Sequence, residues 1–327
     1  MLKKQERAQQ CIASIGLFLL ILGGLCLLPT RVSANHASQQ NRPVAIVAPT
    51  PLAYHGMRLT AGQDGPFLSF DDLCNRPLPR AKQQPVALIK PLPPMEYPAV
   101  LDDVPIRERA YSDETIAYLA GHEIRGGDSK KPIMALTFDC EAGTYSTRAI
   151  LETLREKEVR STFFILGRYA YMFPDIIREI AADGHELGSH SFFHPLFTGI
   201  TPITATQEIT YAEAVLDWII GKPTPMRYFR FPYGGRNDSL RLLAATWGYQ
   251  SAFWNLDPRG WDPEVSTEDV VAYIRNTARN GGIVIMHCGC WDDAHALAEV
   301  IDLIREKGIE LGTLSDVLTD ADRNVPD

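Results

Sequence analysis

Asp139, His190, Arg230, Asp257 and His287 each stand immediately after a short apolar run. Brought to one place, they would supply a carboxylate base, an imidazole that can hold a metal ion, a guanidinium to pair with the carboxylate, a second carboxylate and a second imidazole. That is the inventory of a hydrolytic site. His190 and His194 are four residues apart in HSFFH, a spacing that lets two imidazoles on one side of a helical turn share a cation. Taken singly, each residue has a plainer reading: Arg230 as a surface cation, Asp257 as a turn residue before Pro258, Trp261 as core, His287 as a buried, satisfied imidazole. His185, in GHELGSH, reads as structural.

The elements that must position these groups begin near Lys131. From there, short apolar runs suited to buried strands alternate with amphipathic stretches. Strands are expected at 133–138, 161–165, 228–231, 251–254, 283–286 and 309–311. Between them, a helix capped by Ser146 presents Ala149, Ile150, Leu151 and Leu154, and others cover 175–182 and 239–246. A further helix opens at Ser266 with Asp269 three residues on, a variant of the capping box, and one over about 293–307 ends at Gly308. Repeated strand-then-helix units imply parallel strands and an α/β fold, a distorted (β/α) barrel of about seven strands. In such a barrel, functional residues follow the C-terminal ends of the strands, which is where the five named side chains fall.

With LTFDCEAG (136–143), HSFFH (190–194), RFPYG (230–234), DPRGW (257–261) and VIMH (284–287) in this order, the chain resembles the NodB-like polysaccharide deacetylases of carbohydrate esterase family 4. The resemblance spans about 131–318. It implies metal-dependent hydrolysis of N-acetyl groups on an amino-sugar polymer, peptidoglycan or chitin-like, by a water that one divalent cation activates. Zinc is the first choice, with cobalt or another divalent metal as options. By the same resemblance Asp139 is the base, His190 and His194 are metal ligands, and His287 is the acid that protonates the departing amine. Arg230 pairs with Asp139, the Tyr233 N–H helps to stabilise the oxyanion, and Trp261 walls the pocket.

Two positions depart from the family pattern. Cys140 stands where the family usually has a second Asp, its third metal ligand; Glu141 is the first choice to replace it, with the Cys140 thiolate or waters as alternatives. Gly260 stands where an Asp commonly orients the catalytic imidazole, and Asp257 or Asp262 is expected to take over. These departures keep open a non-catalytic carbohydrate-binding relative, and the fold also admits a hydrolase of small amides.

The net charge of −8 and pI near 5.5 leave no basic footprint for nucleic acid. A composition 45% hydrophobic and 22% charged excludes a wholly disordered chain. Lys3, Lys4 and Arg7 precede an apolar run from Cys11 to Leu28 and then Val32-Ser33-Ala34. Residues 1–34 therefore read as a signal peptide or a signal anchor, giving a secreted or membrane-tethered protein. Residues 35–130 read as a largely irregular, Pro-rich spacer with apolar stretches able to dock, and 131–320 as the deacetylase domain. Of the cysteines beyond the targeting segment, Cys74, Cys140, Cys288 and Cys290, the last three fall at one barrel mouth, where one pair can form a disulfide.

Overall fold

A computed structural model of the chain describes residues 96–101, 104 and 110–323. The expected targeting segment, most of the spacer and Cys74 lie outside the described residues. Among those described, no helix is long and apolar enough to cross a membrane.

The strands are β1 (Ile133–Cys140), β2 (Thr162–Ile165), β3 (Glu186–Ser189), β4 (Tyr228–Phe229), β5 (Gln250–Ser251), β6 (Ile283–His287) and β7 (Glu310–Gly312). They form one seven-stranded sheet in the order β5-β4-β3-β2-β1-β6, with β7 paired to the first half of β1. Every pairing is parallel. The segment after β5 then returns to the opposite edge, where Leu256 bridges Val284 of β6, and this contact curls the sheet into a distorted barrel. β1 is buried from Met134 to Cys140, as expected for a strand covered on both faces, and its Phe138 stacks on Phe163 of β2 at 5.0 Å. Burial of a side chain of that size contributes roughly 1.5–3 kcal/mol.

The helices are α1 (Asp113–Gly121), α2 (Thr144–Glu156), α3 (Gly167–Met172), α4 (Pro174–Ala182), α5 (Pro202–Ile220), α6 (Asp238–Thr246), α7 (Thr267–Thr277), α8 (Trp291–Glu306), α9 (Leu314–Val317) and α10 (Asp320–Arg323). The capping box of α7 forms as the sequence predicts, with Ser266 and Asp269 bonding reciprocally. Ser146 does not cap α2. Gly143, at φ +76°, starts that helix three residues earlier, and the Ser146 hydroxyl donates to the Cys288 carbonyl at 2.6 Å.

Among the elements with no counterpart in the sequence reading, α1, β3 and α5 bear on the site. α1 lies within the tract expected as spacer; Ser112 caps it, it packs on α6, and Ile124 just beyond it bridges Ala252 beside β5. β3 (ELGS) has a single large apolar residue and is read as a strand only because its neighbours pair with it. α5 is enclosed on several faces, Glu208 and Glu213 included, so its apolar residues form no single stripe.

The barrel assembles the chemistry through strand ends. Asp139 and His287 are direct register partners on β1 and β6, while His190 and Arg230 each follow the last residue of β3 and β4.

Candidate active site

HSFFH adopts a tight loop in place of the expected helical turn. Ser191 (φ +69°) and His194 (φ +64°) both take left-handed backbone conformations that non-glycine residues seldom adopt. The cost is offset by a set of local bonds. The Ser191 hydroxyl accepts from the His194 N–H at 3.0 Å, and one carboxylate oxygen of Glu208, on α5, accepts from the N–H groups of Phe192 and Phe193 at 2.9 and 2.7 Å. Tyr97 donates to the other Glu208 oxygen at 2.9 Å and stacks on Tyr211, so residues upstream of α1 brace the back of the loop. Burial raises Glu208 above the ordinary carboxylate range despite these donors.

The loop turns both imidazoles toward one point. His190 Nε2 and His194 Nε2 are 3.1 Å apart, and Glu141 Oε2 lies 2.9 Å from His194 Nε2. His190 Nδ1 is 2.8 Å from the Arg230 carbonyl, which can only accept, so the proton sits on Nδ1 and the Nε2 lone pair faces the cluster. Burial depresses His190 to about 4, so it is neutral at pH 7 as a ligand must be. Burial opposes ionisation of Glu141, but the His194 partner outweighs it and holds the carboxyl well below its usual range.

Glu141, His190 and His194 offer donor atoms all within 4.8 Å of one another. Two imidazole nitrogens and a carboxylate oxygen are a donor set suited to zinc, and their 2.9 and 3.1 Å spacings approach the roughly 3.3 Å edge of a tetrahedron with zinc-length bonds. These residues therefore fit a divalent ion. Cys140 is not among them, because its sulfur is joined to Cys288, with the two Cα atoms 4.9 Å apart; Cys290 is outside that bond.

Asp139, 3% exposed, lies beside this cluster. Its Oδ1 accepts from Arg230 Nη1 at 2.7 Å, and its Oδ2 is 3.5 Å from His190 Nε2. Arg230 is fully buried rather than a surface cation. Its Nη2 donates to Thr137 Oγ1 at 2.9 Å, and the guanidinium lies 3.8 Å from the Phe164 ring centroid. Burial alone would raise Asp139, but Arg230, His190 and His287 together lower it, keeping the carboxylate ionised.

The acid half differs from expectation. Asp257 Oδ1 accepts from the Arg259 N–H at 2.9 Å, and Asp262 pairs with Arg259 and caps the Glu264 N–H, so each is committed to its own turn and neither bonds His287. The carboxylate at His287 is Asp293 of α8, which accepts the His287 backbone N–H at 2.8 Å. The sequence reading missed Asp293 and Glu208. The only signals were an acid in the first turn of a helix just after VIMH and a glutamate inside an otherwise apolar stretch.

At the rim, Tyr233 (φ +57°) sits in the 3-10 turn Pro232–Gly234 with its ring 4.5 Å from His194, and Tyr233 and Trp261 are 55% and 40% exposed. His185 is structural, as expected: it is buried and its Nδ1 accepts from the Ser161 N–H at 3.2 Å.

Comparison with known proteins identifies the family. The polysaccharide deacetylase family model matches residues 126–252. A chitooligosaccharide deacetylase of Azorhizobium caulinodans is 34% identical over 166 residues, covering 50% of this chain and 78% of that protein. The peptidoglycan-N-acetylmuramic acid deacetylase PdaC of Bacillus subtilis is 31% identical over 58% of this chain, which spans 39% of PdaC. Among solved structures, a family 4 carbohydrate esterase pseudoenzyme from Bacillus anthracis superposes with a TM-score of 0.58 at 22% identity, covering 61% of this chain and 69% of that one, a likeness of fold alone. With the first of these relatives matched over more than three quarters of its length, this chain belongs to the polysaccharide deacetylase family.

Proposed function

We propose that this chain removes N-acetyl groups from an amino-sugar polymer, peptidoglycan or chitin-like, outside the cytoplasm, with one divalent ion held by His190, His194 and Glu141. The observation that carries this reading is the convergence of those three donors beside an ionised Asp139 clamped by Arg230. When bound, such an ion lowers the pKa of water and polarises the acetamide carbonyl.

The protein's own groups do the rest. Arg230 fixes one oxygen of Asp139, leaving Oδ2 on the side of the cluster to take a proton from the attacking water, a contribution of about 10²–10⁴-fold. His287, opposite Asp139 across the β1–β6 register, delivers a proton to the departing nitrogen, which must leave as a neutral amine. The Tyr233 N–H, in its left-handed turn, donates to the developing oxyanion. The exposed rings of Tyr233 and Trp261 offer apolar faces on which a sugar ring can lie.

The reading is tested by acetate release from N-acetylglucosamine oligomers and from intact cell wall, with zinc, cobalt or no metal, for the parent and His190→Ala. Metal-dependent release that the substitution abolishes supports it. Equal release from both proteins overturns the metal assignment, and release from small amides but not oligomers overturns the polymer. The export part is tested by protease accessibility in intact cells; a protected chain contradicts it.

A further inference from the structure

His287 and Asp293 present an unfinished contact. Asp293 is fully buried near the start of α8, and its Oδ2, already bonded to the His287 backbone N–H, lies 3.9 Å from His287 Nδ1. Among the described residues, neither His287 Nδ1 nor Asp293 Oδ1 has a hydrogen-bond partner. Buried polar atoms left in this state are costly to a fold and call for an explanation. Here the two residues face one another. Rotation of the imidazole and the carboxylate can bring Nδ1 within bonding range, and catalytic contacts are often long until substrate is present.

Gly260 supplies an independent observation. A Cβ added there would fall 2.0 Å from Asp293 Oδ1 and 2.6 Å from its Cγ. The Asp293 carboxylate thus fills the volume from which a side chain at position 260 would grow, so a side chain at 260 and an acid at 293 exclude each other. Position 260 is also where the chain departs from the family's Asp.

We propose that Asp293 is the positioning residue for His287, accepting its Nδ1–H so that Nε2 faces the mouth, and that Gly260 is the space this replacement requires. The proposal rests on the reading of His287 as proton donor. A carboxylate fixed on Nδ1 selects one tautomer and one ring orientation, which an acid in proton transfer needs. A role confined to the backbone N–H of His287 would not require Nδ1 at all.

Asp139 and Glu141 also act on His287, and Asp257 and Asp292 on Asp293, so a pH profile alone would mix several carboxylates. The test therefore reads the ring directly. Imidazole ¹⁵N spectra of the zinc-loaded protein should show His287 in the Nδ1–H form in the parent and as the Nε2–H form or a mixture in Asp293→Ala. Turnover of N-acetylglucosamine oligomers should fall about 10–100-fold, with KM changed less than about threefold and bound zinc unchanged. The exchange variant Gly260→Asp/Asp293→Ala should recover the parental tautomer and at least about a tenth of the turnover.

Retention of the Nδ1–H form in Asp293→Ala, or recovery of neither property in the exchange variant, overturns the proposal. If Asp293→Ala does not fold, the exchange variant decides alone, and failure of both to fold also overturns it. A parent that releases no acetate defeats the proposed function instead, and the tautomer of parent and variants still decides the role of Asp293.

Discussion

The two places where this chain departs from its family's motifs are handled in different ways. At Cys140 the proposed replacement is a neighbour: Glu141, the next residue along, carries its carboxylate to the two imidazoles, and position 140 itself is joined to Cys288 in a disulfide. At Gly260 the proposed replacement comes from another element, with Asp293 of α8 occupying the volume where a side chain at 260 would grow. On these two proposals, a carboxylate is supplied to the site from one residue away or from a separate helix. Only the first move leaves a trace in the local sequence.

Several measurements would break or sharpen this contrast. The largest effect is expected from Glu141→Ala, which should lower bound zinc and cut acetate release on the order of 10²-fold or more, since a ligand should matter at least as much as an outer partner. Full zinc occupancy in that variant would mean that the neighbouring carboxylate is not the replacement. Cys140→Ser/Cys288→Ser should next cost about 2–5 kcal/mol of unfolding free energy, because the bond spans 148 residues, yet leave the zinc stoichiometry unchanged. Loss of zinc there would bring Cys140 back into the metal site.

A histidine outside both regions provides a control. Burial lowers His185 from 6.5 to about 4, so the unfolded chain takes the proton first. Its contribution is whole above pH 6.5 and is lost as pH falls from there to about 4, at most about 3 kcal/mol. Denaturant titrations at pH 7 and 4 should therefore show a smaller pH effect in His185→Gln than in the parent. The smallest change is expected for Ser266→Ala, about 1 kcal/mol from the lost cap of α7, read as a lower thermal midpoint with turnover unaltered.

Much of the architecture was legible because β1, β2 and β6 are short, mostly apolar runs, β1 and β6 with polar residues at their C-terminal ends, and α7 carries its own capping signal. β3 and α5 were not legible, since pairing and enclosure rather than residue pattern make them what they are. In the site, the spacing of His190 and His194 pointed to a shared centre but to the wrong backbone. Nothing in the residue types of Ser191 and His194 announces left-handed conformations, which depend on Glu208 reaching in from α5. Of the three cysteines near the mouth, the pairing of Cys140 with Cys288 follows from β1–β6 register, a long-range relation. Asp293 was hidden for the same reason.

The hydrogen bond from Tyr97 to Glu208 makes the histidine loop answerable to chain that precedes the family's matched region, which starts at residue 126. A protein cut back to that start would keep every motif and still lose the strut behind the loop. Glu208 would then hold the Phe192 and Phe193 N–H groups without a brace of its own, and the two imidazoles would rest on that less anchored carboxylate.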